Sequence, residues 1–153
     1  MLSILRDQTF VAAGIVKTRT YSVNDSIVSE GMEDRRLYLI EKGHVRVSRR
    51  VPLADGRHIQ AGLCDLGSGE IFGELSLVDA GSRSASVVAL DDVEVLEFDA
   101  HALESYLDEH PAQGYVVLKD VLKILTSRLR QTDRRWEQLF AWGLKEHGID
   151  QHL

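Results

Sequence analysis

The sequence has very little of what cross-linked or membrane-spanning proteins require. It contains one cysteine, Cys64, and two prolines among 153 residues. A lone cysteine cannot form a disulfide within the chain, and its position between Leu63 and Leu66 predicts a small, buried or half-buried structural residue. No apolar run approaches the ~20 residues of a transmembrane helix. Because the amino terminus also lacks the basic start and long apolar stretch of a secretory signal, we expect a cytoplasmic location.

The chain also lacks a surplus of basic residues. Its 18 lysines and arginines against 24 acidic residues give a formal net charge of -6. Such a balance argues against broad contact with nucleic acid or anionic lipid. Two basic clusters, at residues 46–50 and 128–135, include or adjoin acidic and polar residues and are interpreted as solvated faces. An anionic ligand therefore has to bind at a local site with its own positive groups, rather than to a broadly basic surface.

The central part of the chain has the pattern of short strands joined by tight turns. Strand formers recur at residues 15–21, 27–28, 37–40, 45–47, 58–66, 87–90 and 93–98. We predict three hairpins. The first pairs residues 37–40 with 45–47, the second closes around the loop 53–57, and the third pairs 87–90 with 93–98. The pattern predicts a mainly β fold, an antiparallel β-barrel or jelly roll over about residues 14–98, preceded by short helices within 3–13.

Two helices are predicted after the strands. Asp99 is a good cap for a helix over residues 100–109, and Pro111 separates it from a longer one. The longer helix carries a heptad stripe, the seam: Leu118, Leu122, Leu125, Leu129, Thr132, Trp136 and Leu139. The seam packs either against a second copy of the chain or across the chain's own barrel. We place these helices over about residues 99–142, one domain over 1–142, and a tail over 143–153.

The candidate ligand site follows the strand at residues 58–66. Gly73 lets the backbone turn tightly, and residues 74–78 can form one helical turn whose amides point toward a ligand. Arg83 can neutralise a phosphate through forked hydrogen bonds, and Glu74 can accept from hydroxyl groups. This set suits a phosphate attached to a sugar, with Arg83 on the phosphate and Glu74 on the ribose. The alternative is an ordinary turn with a surface salt bridge between Glu74 and Arg83.

Two segments carry a resemblance to a known family. Phe72-Gly73-Glu74-Leu75-Ser76-Leu77, with Arg83-Ser84-Ala85 beginning nine residues after the glutamate, resembles the phosphate-binding cassette of cyclic nucleotide-binding domains (residues 72–85 here). That family includes the bacterial catabolite activator and the regulatory subunits of protein kinase A. Residues 37–47 resemble its hairpin. Where the family usually has glycine the chain has Asn24, which tolerates a left-handed backbone.

The resemblance implies a ligand, its contacts and an output. Cyclic AMP is favoured over cyclic GMP, because the bacterial activator shares arginine-serine-alanine. The implied cassette contacts are Gly73, Glu74, Leu75, Ser76, Arg83, Ser84 and Ala85. A polar residue on the long helix reaches the base in the family, and Thr132, with Asp133 beside it, matches that position most nearly. In the family, ligand binding in the cassette repositions the helices after the barrel. The resemblance therefore implies a stand-alone regulatory or sensor domain with an effector protein.

The long helix adds expectations about partners. We predict a homodimer through residues 118–139. The catabolite activator type continues into a helix-turn-helix domain, for which residues 143–153 are too few, so we expect neither direct DNA binding nor membrane association.

Two other functional classes stay open from the sequence. One is a protein-interaction domain of the same fold that has lost its ligand, and the other is a metal-dependent small-barrel enzyme. The six histidines form no close His-x-His pair, and no serine has an evident base with an orienting acid. We therefore predict no catalytic residues, no metal ligands and no cofactor.

Overall fold

The computed structural model describes residues 2–79 and 81–146. They belong to two compact units, one from Leu2 to Pro111 and a helical one from Ala112 onward. The helices are α1 (Leu2–Leu5), α2 (Gln8–Ala12), α3 (Ala100–Glu109) and α4 (Pro111–Glu146). The strands are β1 (Val16–Tyr21), β2 (Ser26–Val28), β3 (Arg36–Lys42), β4 (Val45–Pro52), β5 (His58–Leu66), β6 (Ile71–Phe72), β7 (Ser86–Ala89) and β8 (Val93–Asp99).

The strands form two antiparallel four-stranded sheets. The first has the order β1-β8-β3-β6 and the second the order β2-β7-β4-β5. The predicted jelly-roll class is thereby confirmed. Among the described strands no ladder joins one sheet to the other, so the sheets are not closed into a barrel.

Strand β3 is buried on both faces, which explains its unbroken apolar run. Tyr38 and Ile40 belong to the core cluster that draws residues from both sheets. Leu37 and Leu39 lie on the opposite face, where Leu37 pairs with Phe98 of β8. The Phe98 ring is 6.2 Å from that of Phe10 in α2. The first sheet is therefore covered by the other sheet on one side and by helical residues on the other.

Two of the three predicted hairpins are wrong. Strands β3 and β4 do not pair, because β3 pairs with β6 and β8 while β4 pairs with β5 and β7. Strands β7 and β8 likewise lie in different sheets. Each turn is a corner where the chain crosses between sheets, and a glycine or acidic turn serves a corner as well as a hairpin. The β4–β5 hairpin is confirmed.

The helices match the sequence patterns closely. The Asp99 carboxylate caps α3 by accepting from the Ala102 amide at 2.9 Å. Helix α4 begins at Pro111 and runs to Glu146, past residue 142, where we expected it to end. The rest of the expected tail, residues 147–153, lies outside the described residues. None of the described helices is both long and apolar enough to cross a membrane.

Candidate functional site

The pairing of β6 with β3 positions the cassette. Phe72, the last residue of β6, pairs with Tyr38, and the two rings stack at 4.7 Å. The chain then turns at Gly73, whose φ of 75° is left-handed. Residues Glu74–Leu77 form the expected single helical turn, of 3₁₀ type. The cassette thus begins against the amino-terminal end of β3.

Gly73 is required by a close approach of three chain segments. A Cβ at this position would lie 2.5 Å from the carbonyl oxygen of Arg36 and 2.8 Å from Nη1 of Arg83. Both distances are far inside van der Waals contact, and an L side chain rarely adopts the left-handed backbone. The glycine therefore lets the turn lie directly against the Arg83 guanidinium.

The Arg83 side chain is a buried cation, only 7% exposed. Its Nη1 donates to the Ser76 hydroxyl at 2.8 Å, and its Nη2 donates to the Arg36 carbonyl oxygen at 2.7 Å. The guanidinium carbon lies 5.8 Å from the centroid of the Tyr38 ring. The Nε donor is buried and has no acceptor among the residues that the structure describes. A buried N–H without an acceptor is costly, so this group favours an incoming anion.

Backbone hydrogen bonds hold Arg83 in place just before β7. Its amide donates to the Met32 carbonyl oxygen at 2.9 Å, and its carbonyl accepts from the Gly31 amide at 2.9 Å. The Glu30 amide donates to the Ser86 hydroxyl at 3.0 Å. The segment 30–32 therefore fixes the backbone from which the guanidinium projects.

Alternating charges surround the guanidinium. Asp34 lies between two arginines, 3.4 Å from Nη2 of Arg83 and 3.2 Å from Nε of Arg36. Glu97 is 3.0 Å from Nη1 of Arg36 and 3.9 Å from Nε of Arg19. In this chain of ion pairs three guanidinium groups share two carboxylates, which leaves the set suited to a further negative charge.

Tyr38 contributes an apolar ring beneath the guanidinium rather than a titrating group. Burial, with the carboxylates Asp34 and Glu97, raises the pKa of Tyr38 to about 12. The phenol therefore stays neutral at physiological pH and does not compete with an anionic ligand.

The structure brings most of the predicted cassette contacts together. Glu74 and Ser76 are buried, at 5% and 6% exposure, while Leu75 and Ser84 are exposed and Ala85 is half-buried. Because Glu74 and Arg83 are both buried, a surface salt bridge does not describe them. Their assignment as ligand contacts stays a prediction.

The two predicted base contacts lie in the helical unit. The side chains of Thr132 and Asp133 are exposed, and the Thr132 hydroxyl donates to the Arg128 carbonyl oxygen at 3.0 Å. This contact is local to α4, as is common for threonine in helices. Their part in base recognition stays a prediction.

Sequence reasoning missed the residues that surround Arg83 from β3. Asp34 and Arg36 flank the start of that strand, and Tyr38 lies within it. The available signal was the run of four charged residues Glu33-Asp34-Arg35-Arg36 directly before a buried run, an unusual place for four charges. The periodicity of apolar residues in the sequence does not indicate which distant residue those charged side chains contact.

A separate polar cavity of about 330 Å³ contains none of the cassette residues. It is lined by Thr20, Tyr21, Ser22, Asp25, Lys42, Asp92, Val93 and Glu94. Three carboxylates against one ammonium group make it unsuited to a phosphate. Within residues 2–79 and 81–146, no three histidine, cysteine or acidic side chains are grouped to hold a metal ion.

Gly73→Ala tests the close packing of the cassette. The left-handed backbone costs about 1–2 kcal/mol for alanine, and the inserted methyl group adds about 1–3 kcal/mol of overpacking. We expect the free energy of unfolding in urea to fall by about 2–5 kcal/mol in total.

Gly56→Ala is the matched control for that substitution. Gly56 has a φ of 82°, and a Cβ there would meet nothing within 4 Å. The free energy of unfolding of Gly56→Ala should therefore fall only by the backbone contribution of about 1–2 kcal/mol. Equal losses in the two variants would show that the cassette does not pack tightly around Gly73.

Comparison with known proteins agrees with this geometry. The family model described as "Cyclic nucleotide-binding domain" matches residues 18–110. A CRP-like cAMP-activated global transcriptional regulator of Mycobacterium tuberculosis is 33% identical over 114 residues, covering 74% of this chain and 47% of that protein. The chain spans about half the length of this regulator and of the cyclic AMP receptor protein of Thermus thermophilus.

Solved structures show the same fold. A cyclic nucleotide-binding domain from Methylobacillus flagellatus aligns with a TM-score of 0.72 and 29% identity, covering 82% of this chain and 68% of that one. The catabolite activator protein of Thermus thermophilus aligns with a TM-score of 0.66 and 30% identity, covering 88% of this chain and 59% of that one. The family match over residues 18–110 includes strands β2 to β8 and the cassette.

Proposed function

The chain belongs to the cyclic nucleotide-binding domain family, and from this premise we propose that it binds one cyclic nucleotide in its cassette and serves as a regulatory module. The phosphate is assigned to Arg83 and the ribose to Glu74. The cassette amides and the Ser84 hydroxyl add donors around the phosphate.

The observation that carries this proposal is the state of Arg83. The buried guanidinium has one N–H without an acceptor among the described residues, and it shares the Asp34 carboxylate with Arg36, so it can gain from a further acceptor. A cyclic phosphate supplies a negative charge and acceptor oxygens of the geometry that a guanidinium binds best. Binding therefore supplies an acceptor for the buried Nε donor.

Glu74 is assigned to the sugar because of its place in the turn. It is the first residue of the 3₁₀ turn and is buried. A buried carboxylate can accept hydrogen bonds from a ribose hydroxyl, and such charge-assisted bonds are stronger than neutral ones. Glu74 would then bind the ribose and Arg83 the cyclic phosphate, the two parts that all cyclic nucleotides share.

The base is assigned as adenine. This choice rests on the resemblance of Arg83-Ser84-Ala85 to the bacterial activator and agrees with the Mycobacterium tuberculosis relative, which is a cAMP-activated regulator. Thr132 and Asp133 are proposed to meet the base. The hydroxyl can donate or accept, and a carboxylate accepts from the amino group of adenine but repels a base acceptor.

A calorimetric competition between cyclic AMP and cyclic GMP tests both the function and the base. We expect saturable binding at one site per chain, with cyclic AMP the tighter ligand. A result in which cyclic GMP binds at least ~10-fold tighter, about 1.4 kcal/mol, would reverse the choice of base. If neither nucleotide binds, the chain is better described as an interaction domain that has lost its ligand.

The proposed output is movement of the helices that follow the sandwich. Helix α3 ends at Glu109 and α4 begins at Pro111, so only His110 separates the two helices in the sequence. A ligand shifts such an equilibrium only by its differential affinity for the two states. The role assigned to the chain is that of a sensor rather than an enzyme.

A second copy of the chain is the proposed partner for the seam of α4. Most seam side chains are exposed, including Leu129 at 62% and Trp136 at 69%. A continuous apolar stripe of this kind is poorly tolerated in water, and heptad spacing is self-complementary in a symmetric pair. We therefore propose a homodimer through residues 118–139.

A further inference from the structure

Arg35 connects the cassette with helix α3 through direct side-chain contacts. Its Nε and Nη2 atoms donate to the Ser76 carbonyl oxygen at 3.3 and 3.1 Å. The same Nη2 atom donates to Oε2 of Glu104 in α3 at 3.2 Å. One guanidinium thus holds the backbone of the 3₁₀ turn and a side chain of the following helix at the same time.

Ser76 is the point where this connection meets the phosphate-binding arginine. Its hydroxyl accepts from Nη1 of Arg83 at 2.8 Å, while its carbonyl oxygen accepts from Arg35. Ser76 is buried, and its amide donates to the Gly73 carbonyl oxygen at 3.1 Å. Arg83, Ser76, Arg35 and Glu104 therefore form a continuous hydrogen-bonded series.

We propose that Arg35 is a positioning residue that transmits the state of the cassette to α3. The ligand-dependent part of this proposal rests on the proposed function. The connection itself is made entirely by residues of the chain.

The ligand-dependent step is a competition for the Arg83 guanidinium. A phosphate that takes hydrogen bonds from the guanidinium competes with the neutral Ser76 hydroxyl, and the charged acceptor makes the stronger bond. The Ser76 residue lies in a turn of only four residues, which has few internal hydrogen bonds to resist movement. Displacement of Ser76 changes the position of its carbonyl oxygen.

Arg35 converts that displacement into a change at α3. Its planar fork binds two acceptors in a fixed relative geometry, so a shift of the Ser76 carbonyl changes the Glu104 contact. Lysine could not hold both acceptors in this way. Coupling of this kind is reciprocal between the two ends.

A double-mutant cycle in the 153-residue chain tests the series without any ligand. Ser76→Ala removes the hydroxyl contact with Arg83, and Arg35→Gln removes the link to Glu104. We expect Ser76→Ala to speed hydrogen exchange of the α3 amides about two- to fivefold in the wild-type background and to have no effect in Arg35→Gln. Equal effects in both backgrounds would overturn the proposal.

Two further variants keep this test specific. Glu104→Gln cuts the far end of the series and should abolish the Ser76→Ala effect in the same way. Arg46→Gln removes an ion pair with Asp65, at 2.8 Å, in the other sheet, and should leave the α3 exchange unchanged. An Arg46→Gln effect as large as that of Arg35→Gln would indicate general destabilisation and overturn the proposal.

Hydrogen exchange measured with and without cyclic AMP distinguishes a failure of this inference from a failure of the proposed function. Cyclic AMP should change α3 exchange about two- to fivefold in the wild type, and Arg35→Gln should still bind it but lose that response. If the wild type does not bind cyclic AMP, the proposed function fails while the free-protein cycle still decides the role of Arg35. If Arg35→Gln binds and keeps the full α3 response, the relay is wrong and the proposed function stands.

Discussion

Arg83→Ala is expected to weaken cyclic AMP binding at least ~30-fold, which corresponds to the lower end of the 2–5 kcal/mol lost when one member of a buried charge pair is removed. Arg83 is the most buried of the three linked arginines, and its unpaired Nε is the donor best placed to gain from an anion. Alanine leaves the phosphate without its main counter-charge. Calorimetric titration of the variant against the wild type measures the change.

Two arginine variants control for charge and for folding. Arg83→Lys keeps a cation but loses the planar fork, so its affinity should fall between those of alanine and the wild type. Arg46→Ala removes an exposed arginine, also paired with a carboxylate, and should leave the affinity unchanged. Wild-type affinity in a folded Arg83→Ala protein would exclude the cassette as the binding site.

Glu74→Gln completes this comparison within the cassette. The amide keeps an acceptor for a ribose hydroxyl but loses the charge, so we expect a smaller loss of affinity than for Arg83→Ala. The order of the two effects is the informative result. Equal and negligible losses for both variants would indicate that the pair has a structural rather than a ligand-binding role.

Leu129→Glu is expected to convert a dimer into monomers. In a symmetric pair the two introduced carboxylates would face each other across the seam, and such like-charge contacts cost several kcal/mol. We expect the dimer dissociation constant to rise at least ~100-fold, about 2.7 kcal/mol. Sedimentation analysis measures the constant, and circular dichroism checks that the sandwich remains folded.

Gln131→Glu is the matched control for the seam. It introduces the same side chain two residues away at an exposed position outside the heptad stripe. Dimerisation should be nearly unchanged in this variant. A wild-type chain that is monomeric at high concentration would refute the dimer and would require another occupant for the exposed stripe.

Features set by local chemistry were predicted well from the sequence. Asp99 caps α3 through its own carboxylate, and Asn24 adopts the left-handed backbone, with φ of 70°, in the turn where the family has glycine. The short helical turn at Glu74–Leu77 follows directly after a left-handed Gly73. In each case the determining interactions lie within a few residues of the chain.

Features set by distant contacts were not predicted. The turn at Gly43 was expected to close a hairpin, yet it carries the chain from one sheet to the other. Which sheet the next strand joins depends on burial of both faces of β3 rather than on the turn. The contacts of Arg83 with Asp34 and with the Arg36 carbonyl, and of Arg35 with Ser76, span more than forty residues of sequence. No local pattern indicates these pairs.

The most direct test of the central claim is the NMR signal of the Arg83 Nε–H group during titration with cyclic AMP. This donor has no acceptor among the described residues of the free protein, so a bound phosphate should change its chemical environment strongly. We predict a large shift that saturates at one ligand per chain, assigned by the loss of the signal in Arg83→Lys. Binding of cyclic AMP without any change at this resonance would contradict the account.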